Sequence, residues 1–424
     1  MHQIKRLASA GATLTVAIAA MAVPASAATS TTRWVDGDGH AGPNGCGGAA
    51  TAFTSIQDAV TASHADDIVV VCPGTYTGQV RIRGSRDGLT LRSSSPFTAT
   101  IKAPVSIARP LGFGYVVLVD HVDDVTIRGF KVVSRTAAPC DQTDVTIAAI
   151  GSRHTSIRGD RLLAPGSNGN EACSQGIGIA VANEITNGQP GGGSSSFTAT
   201  ATIAYNEIRD ARFGSIATFG VHGRVDVDIV HNSVRAYFGQ PPAGHPSITA
   251  VEGAQFGIGL LGRSQGTVRG NVIQGSSAAP ASGPSFFGAI AIMPGFDSAP
   301  TTAVNGPITV SGNLIRRVVV GIIAAAARDL DIRHNHVSNA YAGVELDATT
   351  ASTLRTNRLR TKGVGITLSA DSTGNRITGN TSTGLGGYCQ DGSSGSGTSG
   401  TANTWSGDSS THGSNPSGIC DPAP

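Results

Sequence analysis

Thr309-Val310-Ser311-Gly312-Asn313-Leu314-Ile315, Asp331-Ile332-Arg333-His334-Asn335-His336-Val337 and Thr353-Leu354-Arg355-Thr356-Asn357-Arg358-Leu359 align without a gap, and Arg376-Ile377-Thr378-Gly379-Asn380 begins a fourth copy. The asparagine recurs at steps of 22, 22 and 23 residues. An aliphatic side chain stands three positions before it, and usually another two after, so both point inward. Gly321-Ile322-Ile323, Gly343-Val344-Glu345-Leu346 and Gly363-Val364-Gly365-Ile366-Thr367-Leu368 fill the intervals, short β-branched runs with period-two alternation.

A unit of that length cannot bury its apolar side alone, which marks a solenoid whose coils stack on one another. The repeated position is polar and the apolar ones are β-branched, which excludes a leucine-rich repeat and fits a parallel β-helix. Three strands per coil, stacked at about 4.8 Å, give three parallel sheets around a dry core. Asparagine at a repeated corner can stack its amides into a hydrogen-bonded ladder.

These residues resemble the right-handed parallel β-helix of the pectin-lyase-like superfamily, whose strands are PB1, PB2 and PB3 and whose turns are T1, T2 and T3. The resemblance implies that Asn313 and its equivalents are T2 residues between PB2 and PB3, and that the Gly-Ile-x-Leu runs are PB1. The expected fold is all-β, a right-handed parallel β-helix with a short N-terminal capping helix and a disulfide-stapled C-terminal tail. A fold alone names no reaction.

Lys5 and Arg6, an apolar run from Ala10 to Val23 and Ala25-Ser26-Ala27 read as a secretory signal over 1–27, ahead of a β-helix over 28–387 and a Gly/Ser-rich cap over 388–424. A secreted, extracellular protein follows. Without Lys5 and Arg6 the chain holds 28 basic and 28 acidic residues, a balance with no pull towards nucleic acid or membrane and a mild argument against a polyanion specialist. Six cysteines without a C-x-x-C pair read as disulfides, and no metal or cofactor is expected. Sequence alone allows all fifteen pairings; joining neighbours gives Cys46–Cys72, Cys140–Cys173 and Cys389–Cys420.

Thr54-Ser55-Ile56-Gln57 resembles a capping box with Thr54 as the cap, opening a helix over Ser55 to Ser63 that plugs the first coil. In the tail, Trp405 is expected to cover the last coil. Phe130, Asp160, Asn206, Asn232 and Asn271 occupy the place of Asn313 in earlier coils, at steps of 30, 46, 26, 39 and 42 residues. The surplus places insertions at 134–143, 164–175, 183–197, 236–253, 275–285 and 294–306. The third and sixth follow PB1 and the others precede it, so they wall one sheet on both sides.

The resemblance implies a polysaccharide bound along PB1. Gly176, Gly178, Ala180, Ser215, Ala217, Gly257, Gly259, Ala289 and Ala291 are expected to form a smooth outward floor there, without acid, base or ligand. Chemistry must come from the edges, where stacking gives a column of Asp120, His154, Glu184, His222, Arg263, Asp297, Arg328 and Asp347. Glu184 and Glu252 are the candidate carboxylate pair for hydrolysis. His222 is the candidate base for β-elimination, with Arg224 or Arg263 as the cation that stabilises the enolate-like charge. Tyr237, Phe238, Phe286 and Phe287 offer faces to sugar rings, and Asp297 a polar contact. Each candidate has a plainer reading as a solvated or loop-holding residue.

Motifs narrow this little. Val119-Asp120-His121 resembles the Asp-His dipeptide of pectate lyases, but the companion Asp and Arg pattern is absent, so no calcium site is carried over. Gly220-Val221-His222-Gly223-Arg224 departs from the Gly-His-Gly of polygalacturonases. The reading is therefore a polysaccharide lyase or glycoside hydrolase, with a non-catalytic glycan-binding or structural β-helix as the alternative. A monomer is expected, a trimer being the other assembly.

Overall fold

The computed structural model describes residues 30–42, 45–135, 143–164, 175–186, 189–190, 196–211, 213–236, 256–275, 288–294 and 306–422. Within them the chain winds through three parallel ladders. PB3 is a 13-stranded sheet, and PB1 and PB2 together form a 23-stranded one, because Gly214–Val230 and Phe256–Arg269 each run through both. This is the right-handed parallel β-helix.

Alternation supplies the core. Along PB1 the inward stack runs Val117, Ile147, Ile179, Ile216, Ile258, Ile290, Ile322 and Val344, each the register partner of the next. Ile127, Ile157, Ile203, Ile229, Val268, Val310, Ile332 and Leu354 do the same on PB2, and Val132, Leu162, Ile208, Val234, Ile273, Ile315, Val337 and Leu359 on PB3, all buried. A fully buried aliphatic side chain contributes roughly 1.5–3 kcal/mol. Continuity of the stacks thus outweighs the weak preference of any single strand.

The T2 corner holds the expected ladder. Nδ2 of Asn206 donates to Oδ1 of Asn232 at 3.1 Å, Asn232 to Asn271 at 3.0 Å, Asn271 to Asn313 at 3.1 Å and Asn313 to Asn335 at 2.9 Å. Asn335, Asn357 and Asn380 continue it, and Asp408 ends it by accepting from Asn380 at 2.8 Å. Each amide also donates to a PB2 carbonyl of the preceding coil, as Asn335 does to Val310 O at 2.9 Å. At a neighbouring corner Asn375 donates to Asn403 at 3.0 Å in a shorter copy of the same device.

The capping helix spans Ile56–Ala62. Its cap is Ser55 rather than Thr54: the Ser55 hydroxyl accepts the Asp58 N–H at 3.3 Å. Gln57 is thereby freed from the capping box. Its Oε1 takes the backbone N–H of Arg81 at 2.7 Å and its Nε2 reaches Arg81 O at 3.3 Å, satisfying the exposed edge of the first PB1 strand, Val80–Arg83. Ile56, Ala59 and Val60 are buried against the coil.

The Cys46–Cys72 and Cys389–Cys420 disulfides are formed, while Cys140 and Cys173 lie outside the described residues. The tail adds strands rather than a lid. Tyr388–Asp391 extends PB1 and Thr404–Ser406 extends PB2. Trp405 sits inside the stack, in register with Ile377, its indole N–H donating to Asp391 Oδ2 at 2.8 Å. An indole fills the interior that a β-branched residue fills in earlier coils.

All six insertions fall at the expected connections, four between PB3 and PB1 and two between PB1 and PB2. Most of their residues lie outside the described ones. The third opens with a short hairpin, Ile185–Thr186 against Gln189–Pro190. No helix among the described residues is long and apolar enough to cross a membrane.

Candidate functional site

PB1 shows its outer face at alternate positions, and the floor differs from expectation in two ways. A Cβ on Gly178 would meet Ile208 Cγ2 at 2.7 Å, and one on Gly257 would meet Ile273 Cγ2 at 2.7 Å, so these positions face PB3 across the interior. The corner before PB1 turns them inward. Ala180, Ala217, Gly259 and Ala291 do lie on the outer face, but beside large apolar groups. The Phe256 ring lies over Gly214 and Gly259, and Phe219, Leu261 and Met293 share that face, all buried. An open floor of small residues does not exist in these coils.

The anticipated column does not form either. The register row through Asp120 runs Ile150, Ala182, Phe219, Leu261, Met293, Ala325 and Asp347. Of the column only Asp120 and Asp347 belong to it. Glu184 and Arg263 stand two positions past their row members, Arg328 three and His154 four. His154 instead pairs with Asp124, Nδ1 to Oδ1 at 3.1 Å, at the start of PB2, and Arg328 lies 3.7 Å from Asp329. Arg224 is exposed on the strand that pairs with Thr198–Ala204. The His222 side chain, Glu252, Tyr237, Phe238, Phe286, Phe287 and Asp297 lie outside the described residues.

The described groups that do converge are Arg81, Asp120 and His121, at the T1 edge of PB1. Asp120 is an outward residue at the end of its strand, and His121 follows with φ +54°, which swings the ring over Gly151 of the next coil. Asp120 Oδ1 lies 2.8 Å from His121 Nδ1, and Oδ2 accepts from Arg81 Nε at 2.9 Å and from its Nη2. Burial opposes the charge on Asp120, but the hydrogen bonds from His121 and Arg81 prevail and hold its carboxyl below the usual range. The bond to Asp120 raises His121 above an ordinary imidazole against the opposing effect of burial, and the Asp120 and Glu184 charges raise it further.

With Nδ1–H committed to Asp120, the other nitrogen of a neutral His121 is left as a proton acceptor, the tautomer being assigned by the bond. Arg83 is the register partner of Asp120 and is exposed. Tyr115 lies on the same outer face, its hydroxyl kept protonated well into the alkaline range chiefly by burial. Glu184 completes the group with a buried Oε2 that has no hydrogen-bond partner. A base oriented by a carboxylate, a solvent-facing guanidinium and an unsatisfied carboxylate oxygen can together handle a proton beside a negatively charged group. By contrast Asp144 is saturated, held by Arg109 Nη2 and Arg135 Nε, and reads as structural.

Reasoning from sequence named Asp120 and Glu184 but passed over His121, Arg81 and Arg83. The dipeptide directly after a PB1 run was the available signal for His121. Nothing local could flag Arg81, which is 39 residues from Asp120 and meets it only through stacking.

Comparison with known proteins finds partial likenesses. Residues 301–415 match the family described as periplasmic copper-binding protein (NosD). No curated protein sequence matches the chain. The catalytic unit of a thermostable GH87 α-1,3-glucanase from Streptomyces thermodiastaticus strain HF3-3 superposes with a TM-score of 0.46 at 14% identity, over 90% of this chain and 69% of that one. PfbA, a surface adhesin of Streptococcus pneumoniae, gives 0.47 at 11% identity over 83% and 88%. An alginate lyase from Paenibacillus sp. str. FPU-7 gives 0.42 at 17% over 69% and 96%. The strand pairing itself shows a parallel β-helix.

Copper, in the description of the family matched by 301–415, finds no fit among the described residues. Their one convergent group of His, Cys, Asp or Glu donors is Asp36 with Cys46 and Cys72, and those two sulfurs are joined to each other.

Proposed function

We propose that this chain is an exported enzyme that cleaves an acidic extracellular polysaccharide by β-elimination at the T1 edge of PB1. The observation that carries this reading is the Asp120–His121 pair, 2.8 Å apart, with Arg83 in register beside it. His121 takes the proton from the ring carbon next to a uronate carboxylate. Arg83 stabilises the charge that spreads onto that carboxylate, as an oriented cation does. The electron pair forms the new carbon–carbon double bond, the glycosidic C–O bond breaks, and the departing oxygen is protonated by the imidazolium. Glu184, with its free oxygen, positions a sugar hydroxyl. Disulfides are consistent with an oxidising compartment outside the cytosol.

Hydrolysis has its own supporting observation. Glu345 and Asp347 alternate onto the outer face of one PB1 strand, about 7 Å apart along it, a spacing that suits inversion. Burial first, then Asp347, keeps Glu345 protonated above the ordinary range, as a general acid requires, while Asp347 is exposed. Glu252, His222, Arg224 and Arg263 remain catalytic candidates read from the sequence, and the same variant-by-variant assay covers them.

Incubation of the mature protein with acidic and neutral polysaccharides, following unsaturated uronates by absorbance and new reducing ends in parallel, separates these readings. Elimination yields both signals and is lost in His121→Ala. Hydrolysis yields reducing ends alone and is lost in Glu345→Gln. Neither signal on any acidic substrate leaves a non-catalytic glycan-binding β-helix.

A further inference from the structure

Whole-chain charge balance conceals a separation by face. On the outer side of PB3, one register row contains Lys102, Arg209, Arg235, Arg316 and Arg360, interrupted by Val133, Leu163, Gln274 and Ser338. The adjoining outward row adds Lys131, Arg161 and Arg358. All eight cations are exposed, over nine coils that span about 40 Å of the axis. Along the same two rows, from Lys102 to Arg360, Glu207 is the one carboxylate, and it binds Arg161 at 3.2 Å and Arg209. PB1 by contrast carries both signs, Asp120 and Asp347 as well as Arg81 and Arg83. Arg161 is compensated by Glu207 and the Phe97 ring beneath it and Arg209 by Glu207, whereas the like charges along the rest of the stripe repel one another and are open to an external counter-charge.

We propose that the outer face of PB3 is a docking surface for an acidic polysaccharide lying parallel to the cylinder axis. An extended glycan bearing one carboxylate or sulfate per sugar repeats its charge at close to the coil spacing, which a flat parallel ladder matches along its whole length. A depression of about 440 Å³ lined by Lys131, Arg161, Leu162, Leu163, Glu207 and Arg209 gives the chain a seat at one end of the stripe. Beside it, at the T2 ridge, Tyr205 is 66% exposed and stacks on His231 with ring centroids 5.3 Å apart. That ring offers a face to a sugar. Duplex nucleic acid fits less well, its charges being denser, about one per 1.7 Å, and helically disposed. The site is separate from the Asp120–His121 group and does not depend on its chemistry.

The test measures binding of fluorescent polygalacturonate and dextran sulfate fragments by anisotropy, with neutral dextran and a single-stranded oligonucleotide alongside. Readings are taken at low ionic strength and at about 0.15 M, where the Debye length is about 8 Å. Arg316→Gln/Arg358→Gln/Arg360→Gln is expected to weaken binding of the acidic glycans by about tenfold or more and to flatten the salt dependence. Lys102→Gln/Lys131→Gln, at the other end, should act in the same direction. The two acidic glycans distinguish a carboxylate ligand from a sulfate one. Undiminished binding in both PB3 variants, equal binding of neutral dextran, no binding at low salt, or tighter binding of the oligonucleotide each overturns the proposal.

Discussion

Asp160 donates its backbone N–H to the side-chain oxygen of Asn206 at 2.9 Å, yet at the place where each coil from Asn206 to Asn380 returns a side-chain amide it has a carboxyl. Oδ1 accepts the Phe130 N–H at 2.7 Å, while the buried Oδ2 meets no donor. Burial, against the hydrogen bonds from Phe130 and Gly129, pushes this carboxyl up to about 8. The ladder therefore begins in a protonated acid.

Asp160→Asn is expected to stabilise the protein, because a new Nδ2 would find the Asn206 oxygen and a PB2 carbonyl waiting. The sign of the pH effect follows from the raised value. Folded Asp160 keeps its proton from about pH 4, where the unfolded side chain loses it, to about 8, so its contribution is full below about 4, declines across that window and is gone above it. Denaturant titrations should show the parent losing stability from pH 4 to 8 relative to the variant. The gap should widen by on the order of 1 kcal/mol per pH unit across that window.

Asn335→Ala tests the ladder in its interior. Asn335 accepts from the Asn313 backbone and side-chain nitrogens at 3.1 and 2.9 Å and donates to Val310 O and Asn357 Oδ1 at 2.9 and 3.0 Å. Truncation takes the acceptor from the Asn313 N–H and one partner each from Asn313 Nδ2, Val310 O and Asn357 Oδ1, in a buried corner. We expect a loss of about 3 kcal/mol with the β-sheet circular dichroism retained below the new midpoint.

His121 should titrate above an ordinary histidine by NMR, and Asp120→Asn should return it towards the ordinary range. A base must be unprotonated, so uronate-cleaving activity should rise with pH through the His121 midpoint. In Asp120→Asn that rise should move to lower pH and level off lower. For stability the sign is the reverse: the raised histidine contributes below its unfolded value and loses that contribution as pH rises through the folded one, weakly, since the ring is 60% exposed.

Gly151 and Gly159 form a matched pair. Both have positive φ, +59° and +61°, but a Cβ on Gly151 would lie 2.5 Å from the His121 ring, and one on Gly159 would meet nothing within 4 Å. Alanine at either should cost about 1 kcal/mol of backbone strain. Gly151→Ala alone should also displace His121 from Asp120, lowering its titration midpoint and abolishing activity.

Replacing Cys389 and Cys420 by serine opens a 31-residue loop and should lower stability by about 3–4 kcal/mol. Proteolysis should then remove the tail from Tyr388 onward before the rest of the coil is cut.

Coil architecture was legible because it is local. Asn335 with Ile332 and Val337 states the corner and both inward faces in six residues, and the interval to Asn357 states the length of a turn. Errors began where two neighbours offered the same chemistry, as Thr54 and Ser55 did at the helix cap, or where a corner rotated a strand, as at Gly178 and Gly257. Trp405 looked like a lid because lone tryptophans often are, but its register with Ile377 places it indoors.

Residue order along this chain was enough to dictate the cylinder, its three faces and the connections that carry surplus length, since alternation and turn chemistry act within a few positions. Which side chains meet across coils was settled only by stacking. Intervals of 22 to 46 residues between successive T2 positions bring Arg81 to Asp120 and line up Arg209, Arg235 and Arg316 on one face, although the whole chain carries a net charge of only +2. Composition averages over the cylinder, whereas Coulomb interactions act between neighbours a few ångströms apart, and only the folded register says who those neighbours are.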